Sequence, residues 1–133
     1  KKASVRLEKQ LDENNPRLMG DHVQLEQVIL NLVLNAAEAL QDQPDERLIR
    51  LRTSRQDGKV VIEVEDNGPG LPPEIEQHLF EPFHTSKPEG KGTGLGLSLC
   101  LRFVEHHGGA IRHEKPSGGG ARFIVTLPAA DYG

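Results

Sequence analysis

The chain has one cysteine, Cys100, and no tryptophan, and aromatic residues make up only 4% of it. A single thiol cannot close an internal disulfide, and no Cys-x-x-Cys or Cys/His spacing suggests a zinc site. So few aromatic rings leave little to stack single-stranded bases on. Basic residues are not in excess either, since 16 Lys and Arg stand against 20 Asp and Glu for a formal charge of −4. A global field able to neutralise a phosphate backbone is therefore absent, and nucleic acid is excluded as an expected partner. The longest apolar runs, such as Val28 to Leu34, are broken by Asn31 and fall well short of the ~20 residues that cross a bilayer. No signal-peptide pattern opens the chain. A soluble chain is the expectation, and a single thiol is compatible with a reducing compartment.

What is present is enough for a core. At 133 residues with 35% hydrophobic content, one domain over 1–133 is expected, without a disulfide or metal staple. Glycine is placed unevenly: 11 of 14 lie from Gly68 to Gly120, which draws attention to the second half. Ser4 to Leu11 alternates as a half-buried strand does, and a helix runs from an Asp21 cap to about Leu40. Leu48 to Ser54 and Val60 to Glu65 alternate around Gln56-Asp57-Gly58, a hairpin signal. Pro72-Pro73-Glu74 opens a short helix ending near Phe80. Residues 81–93 have no apolar period and read as a long loop, a length uncommon without a function. A second long helix follows from Leu95 to His106 and closes at Gly108-Gly109. Ala110 to His113 and Ala121 to Leu127 read as a final strand pair joined by Pro-Ser-Gly-Gly-Gly. Hairpins alternating with helices predict an α+β layer fold, with the helices on one face of a mixed sheet.

Three segments carry the chemistry. On a helical wheel, Gln24, Gln27, Asn31, Asn35 and Glu38 form a polar stripe about 80° wide between apolar arcs. Amides in such a place serve either as a hydrogen-bonded seam against another element or as carbonyl ligands for a hard cation, and the wheel leaves both open. In Val64-Glu65-Asp66-Asn67-Gly68-Pro69-Gly70, a strand ends in an acid and enters a glycine turn. Asp66 is either a simple turn-former or, if buried, an acceptor that needs a donor such as an adenine amino group. In Gly90-Lys91-Gly92-Thr93-Gly94-Leu95-Gly96-Leu97-Ser98, a glycine-rich loop feeds a helix whose free N–H groups favour an anion such as phosphate. A ligand-free hinge is the alternative there. The spacing matches neither the P-loop nor the Rossmann pattern.

Taken together, QLEQVILNLVLNAAEAL, DNGPGLP, FEPFHTSK and GTGLGLSL resemble, in order and spacing, the asparagine, first glycine, phenylalanine and second glycine boxes of one family. The chain resembles the ATP-binding catalytic domain of sensor histidine kinases, in the superfamily that also holds the gyrase, Hsp90 and MutL ATPases. The combination of NAAEAL with FEPFHTSKPEGKGTGLGLS is most similar to the branch of nitrogen-regulatory and C4-dicarboxylate-transport sensors. The resemblance implies a two-layer α/β sandwich of the Bergerat type. It implies ATP and Mg²⁺ as ligands, with Asn35 and Asn31 at the metal and Asp66 on the adenine amine. Gly68 and Gly70 would give the backbone access to the base, and Gly92, Thr93, Gly94, Leu95 and Gly96 would form the phosphate cradle. Lys87 or Lys91, the two lysines of the loop, would neutralise γ-phosphate charge. Glu38 stands where many such kinases carry Lys or Arg, which removes one expected phosphate contact and makes Lys87 more important.

Asn31 replaces the glutamate that activates water in the gyrase branch. An amide cannot act as a base, so transfer to an acceptor is expected over hydrolysis, with Asn31 and Lys87 as the catalytic pair. None of the six histidines has the phosphoacceptor context. The implied acceptor is a histidine on a separate dimerisation domain of a homodimeric, cytoplasmic or membrane-anchored parent, with a response regulator receiver domain downstream. An ATP-gated binding module and an anti-sigma-type serine kinase are the alternatives.

Overall fold

The structure is a computed structural model and describes residues 5–10, 22–41, 46–71 and 96–129. Strand β1 is Val5–Gln10, helix α1 His22–Ala39, β2 Arg47–Gln56, β3 Lys59–Asp66, helix α2 Gly96–His106, β4 Ala110–Glu114 and β5 Ala121–Pro128. Each follows its predicted span within a residue or two. The short helix expected after Pro72, the loop 81–93 and the cap at Asp21 lie outside the described residues.

The β2–β3 hairpin forms where Asp57-Gly58 allows it. Both residues take positive φ, +53° and +77°, the pair of conformations that a two-residue turn needs to match the twist of its strands. At the other end of β3, Asn67 locks the hairpin. Its amide oxygen accepts from Leu48 N–H at 2.8 Å, its amide nitrogen donates to Glu46 C=O at 3.0 Å, and its own N–H reaches Leu48 C=O at 3.2 Å.

The sheet order is β1-β2-β3-β5-β4. β1 runs parallel to β2, joined through the α1 crossover, and the remaining neighbours are antiparallel. Strand alternation gives the sheet two unlike faces. Ile49, Val60, Ile62, Val64, Phe123, Val125 and Leu127 face the helices and are buried. α1 contributes Val28, Leu32, Ala36 and Leu40 at helical spacing, and α2 adds Cys100 and Val104. α1 touches β3 and α2, and α2 touches β4. The architecture is thus the expected two-layer sandwich, a mixed five-stranded sheet with helices on one face.

α2 ends as its glycines direct. Gly108, at φ +77°, turns the chain so that its N–H reaches Glu105 C=O at 3.0 Å, and Gly109 N–H returns to Val104 C=O at 2.9 Å. These bonds satisfy carbonyls that the helix end would otherwise leave unpaired. The other sheet face carries a row of alternating charge. Glu8, Arg50, Glu65, Arg122 and Glu114 are register partners across all five strands.

Candidate functional site

Asp66 is the last residue of β3 and points to the helix side of the sheet, where it is only 5% exposed. A carboxylate so placed needs donors. Gly68 N–H supplies one at 2.9 Å to Oδ1, and Ala121 N–H, from the paired end of β5, supplies a second. Burial pushes the Asp66 carboxyl above its ordinary range, the two backbone N–H groups pull it back, and the neighbouring Glu65 charge raises it further. Two N–H groups do not exhaust the roughly four lone-pair positions of a carboxylate. Capacity remains for a donor from a ligand.

The glycine turn after Asp66 is a close approach, not merely a bend. A methyl group on Gly68 would lie 3.0 Å from Asp66 Oδ1, 3.2 Å from Leu40 Cδ2 and 3.4 Å from Ala39 C=O. The turn therefore rests against the C-terminal end of α1, with Asn35 one turn earlier on the same line of the helix. Gly70 takes φ +81°, which a side chain would resist.

Asn31, one turn before Asn35, is tied into the helix seam. Its Oδ1 accepts from Gln27 Nε2 at 2.9 Å, and its side chain hydrogen-bonds to Cys100 on α2. Asn31 thus takes part in a hydrogen-bonded seam between α1 and α2. One lone pair of Oδ1 stays available. Cys100 itself is buried, sits 3.7 Å from Val28 C=O, and has its thiol pushed up to about 11 by burial. It is a packing residue and not a nucleophile. Glu38 is exposed, three residues beyond Asn35. Gly96 begins α2, one turn before Cys100.

The structure thus sets two of the predicted segments against α1: the Asp66–Gly70 turn at its C-terminal end and α2 at Asn31. Lys87, Gly92, Thr93, Gly94 and Leu95 lie outside the described residues. No cluster of three His, Cys, Asp or Glu suited to a metal occurs among the described residues. A divalent cation at this place would rely on amide oxygens, of which Asn35 and the remaining Asn31 lone pair are the candidates, together with oxygens of its ligand.

Two residues of the site were not singled out from the sequence. Asn67, inside the quoted glycine box, fixes the position of the turn by its bonds to β2. Gly120 ends the β4–β5 turn and is buried against Asp66. The three consecutive glycines were the only signal, and they read as turn composition. Behind Asp66, on the charged side of the sheet, a cavity of about 280 Å³ is lined by Arg50, Glu65, Asn67, Gly119 and Arg122 among others.

Comparison with known proteins agrees with this geometry. Residues 20–131 match the family described as histidine kinase-, DNA gyrase B-, and HSP90-like ATPase. The C4-dicarboxylate transport sensor protein DctS of Rhodobacter capsulatus is 38% identical over 132 residues, covering 97% of this chain and 20% of DctS. The mycobacterial sensor histidine kinase MprB has a similar structure, with a TM-score of 0.81 and 29% identity over 96% of this chain and 84% of that one. The histidine kinase ThkA, solved in complex with the response regulator protein TrrA, gives a TM-score of 0.77 at 31% identity over 95% of this chain and 34% of that one. The chain spans about a fifth of the length of DctS. No helix among the described residues is long and apolar enough to cross a membrane. The buried acid at a strand end, the glycine turn against an asparagine-bearing helix and the matched sequence together place the chain in the histidine kinase-, DNA gyrase B- and HSP90-like ATPase family.

Proposed function

We propose that this chain is the nucleotide-binding catalytic part of a sensor histidine kinase, which binds ATP with Mg²⁺ and transfers the γ-phosphoryl group to a histidine on a separate phosphoacceptor domain. The observation that carries the reading is the buried Asp66 carboxylate, held by Gly68 and Ala121 N–H groups beside a glycine turn. An adenine amino group can donate to it. Guanine presents a carbonyl at the same position and would leave the acceptor unpaired, so ATP is favoured over GTP.

Asn35 and Asn31 are the residues that would hold Mg²⁺, which when bound neutralises phosphate charge. The start of α2 at Gly96 would offer N–H groups to the phosphates, and on the sequence motif alone Gly92, Thr93, Gly94 and Leu95 are assigned to the same cradle and Lys87 to neutralising phosphate charge. Asn31 cannot remove a proton from water. That suits a site in which positioning and electrostatics serve transfer to another acceptor. The response regulator bound to ThkA supports a receiver domain as the downstream partner, and a parent protein that dimerises fits the same scheme.

The reading is tested in two steps. Calorimetric titration with non-hydrolysable ATP and GTP analogues, each with and without Mg²⁺, should give tight, magnesium-dependent binding of the adenine compound alone. Incubation of the full-length protein with γ-labelled ATP should then give an acid-labile label on the phosphoacceptor domain. An acid-stable label would indicate serine instead, and bound ATP without any label would reduce the chain to a nucleotide-gated binding module.

A further inference from the structure

The turn between β4 and β5 has three consecutive glycines with three different surroundings. Gly118 has ordinary φ and nothing within 4 Å of where a methyl would stand; Gly119 has φ +95° but equally open space. Gly120 has φ +93° and no space at all. A methyl there would overlap the Asp66 carbonyl oxygen, and would lie 3.0 Å from the Asp66 carbonyl carbon and 3.3 Å from Asn67 Cα. On its other side, the Gly120 carbonyl oxygen would be 3.1 Å from a methyl on Gly70. The neighbours Ser117, Gly118 and Gly119 are exposed, whereas Gly120 is buried. This one residue is therefore wedged between the two ends of the Asp66–Gly70 turn, and the next residue, Ala121, gives its N–H to the Asp66 carboxylate.

We propose that Gly120 is a positioning residue for the base site: its bare Cα lets the β4–β5 turn seat against Asp66 and aim that carboxylate, and so sets the preference for adenine. The proposal rests on the reading of Asp66 as the adenine acceptor. The physical reason is that a hydrogen bond weakens steeply with misdirection. A backbone shift large enough to admit a methyl would move β3 at the residue that carries the acceptor and β5 at the residue that fixes it.

The three glycines supply their own controls. Gly118→Ala should leave the melting temperature and the affinities for ADP and GDP unchanged. Gly119→Ala should lower the melting temperature, because alanine resists positive φ, while keeping the adenine preference. Gly120→Ala should lower the melting temperature and also weaken ADP binding by about tenfold or more, while GDP affinity changes little, so that the ratio collapses. A Gly120→Ala protein that melts cooperatively and keeps the wild-type ADP to GDP ratio overturns the proposal. Where Gly120→Ala does not fold, Ala121→Gly loosens the same junction without a clash. Loss of adenine preference in that variant supports the proposal, and an unchanged ratio overturns it. Asp66→Asn, measured alongside, separates the two levels. If Asp66→Asn keeps ADP affinity, the adenine-acceptor reading fails; if it loses affinity while Gly120→Ala does not, only the positioning role fails.

Discussion

Asp66 combines two requirements that pull in opposite directions. A buried ionised carboxylate is costly, yet an ionised acceptor is what an adenine amine would meet. Two backbone N–H groups offset part of that cost, and burial still leaves the carboxyl raised. A carboxyl whose pKa is higher in the folded state contributes stability that is full below its unfolded value and is lost as pH rises through the folded value. Asp66→Asn removes this loss. The variant should therefore melt at or above the wild-type temperature at pH 7, and its advantage should shrink as pH falls through the raised range into the ordinary carboxylate range. Calorimetric melts at several pH values check this, and an advantage that grows on acidification would contradict the burial argument. The same change turns an amide N–H₂ or a lone amide oxygen toward the base, so ADP affinity should fall about a hundredfold, or close to 3 kcal/mol. Lost affinity with retained stability would mark Asp66 as a residue kept for its ligand and not for the fold.

At the scale of the element, α1 does two jobs on different faces. Leu32 is fully buried and anchors the helix on the sheet. Its neighbour Asn31 faces the seam with α2 and bonds to Gln27 and Cys100. Leu32→Ala should cost about 2–5 kcal/mol, as deletion of a packed leucine leaves a cavity, with chemical denaturation as the measurement. Asn31→Ala, on a half-buried position, should cost about 1 kcal/mol in the same assay. The β2–β3 turn makes a simpler prediction. Gly58 at φ +77° has open space around it, so Gly58→Ala meets only backbone strain and should cost about 1 kcal/mol with nucleotide binding intact.

Across the whole molecule, the face opposite the helices carries a row of ion pairs. Arg50 lies 3.1 Å from Glu8 and 3.7 Å from Glu65, and Arg122 lies 2.8 Å from Glu65 and 3.3 Å from Glu114. These contacts link β1, β2, β3, β5 and β4 in one continuous row at the end of the sheet that bears Asp66. The carboxylates around Arg122, Glu65 foremost, push its guanidinium further up. Isolated surface ion pairs contribute little, but a half-buried network with several partners contributes more. A double-mutant cycle of Glu65→Gln and Arg122→Gln should give a coupling of about 1 kcal/mol that declines as salt is raised toward 1 M. A coupling indifferent to salt would show that packing, not charge, joins these strands.

Much of this was legible along the chain. Period-two alternation in Leu48 to Ser54 and Val60 to Glu65, the Asp57-Gly58 turn, the apolar positions of α1 and the Gly108 stop are local patterns, and local patterns follow from local sterics and from which face must leave water. The site motifs were legible for the same reason, since a glycine turn after an acidic strand end and a glycine-rich helix start are short contiguous signals. Pairings between distant segments were not. That β5 lies between β3 and β4, that β1 runs parallel to β2, and that Glu8, Arg50, Glu65, Arg122 and Glu114 fall in one row all depend on strand order and register, which no window of sequence contains. Asn31 shows the boundary most sharply: the helical wheel placed its amide on a polar stripe, and only the packing of α2 brought Cys100 against it. Gly120 lies 54 positions from Asp66 in the chain and against it in space, so its closeness was fixed only when β5 paired with β3.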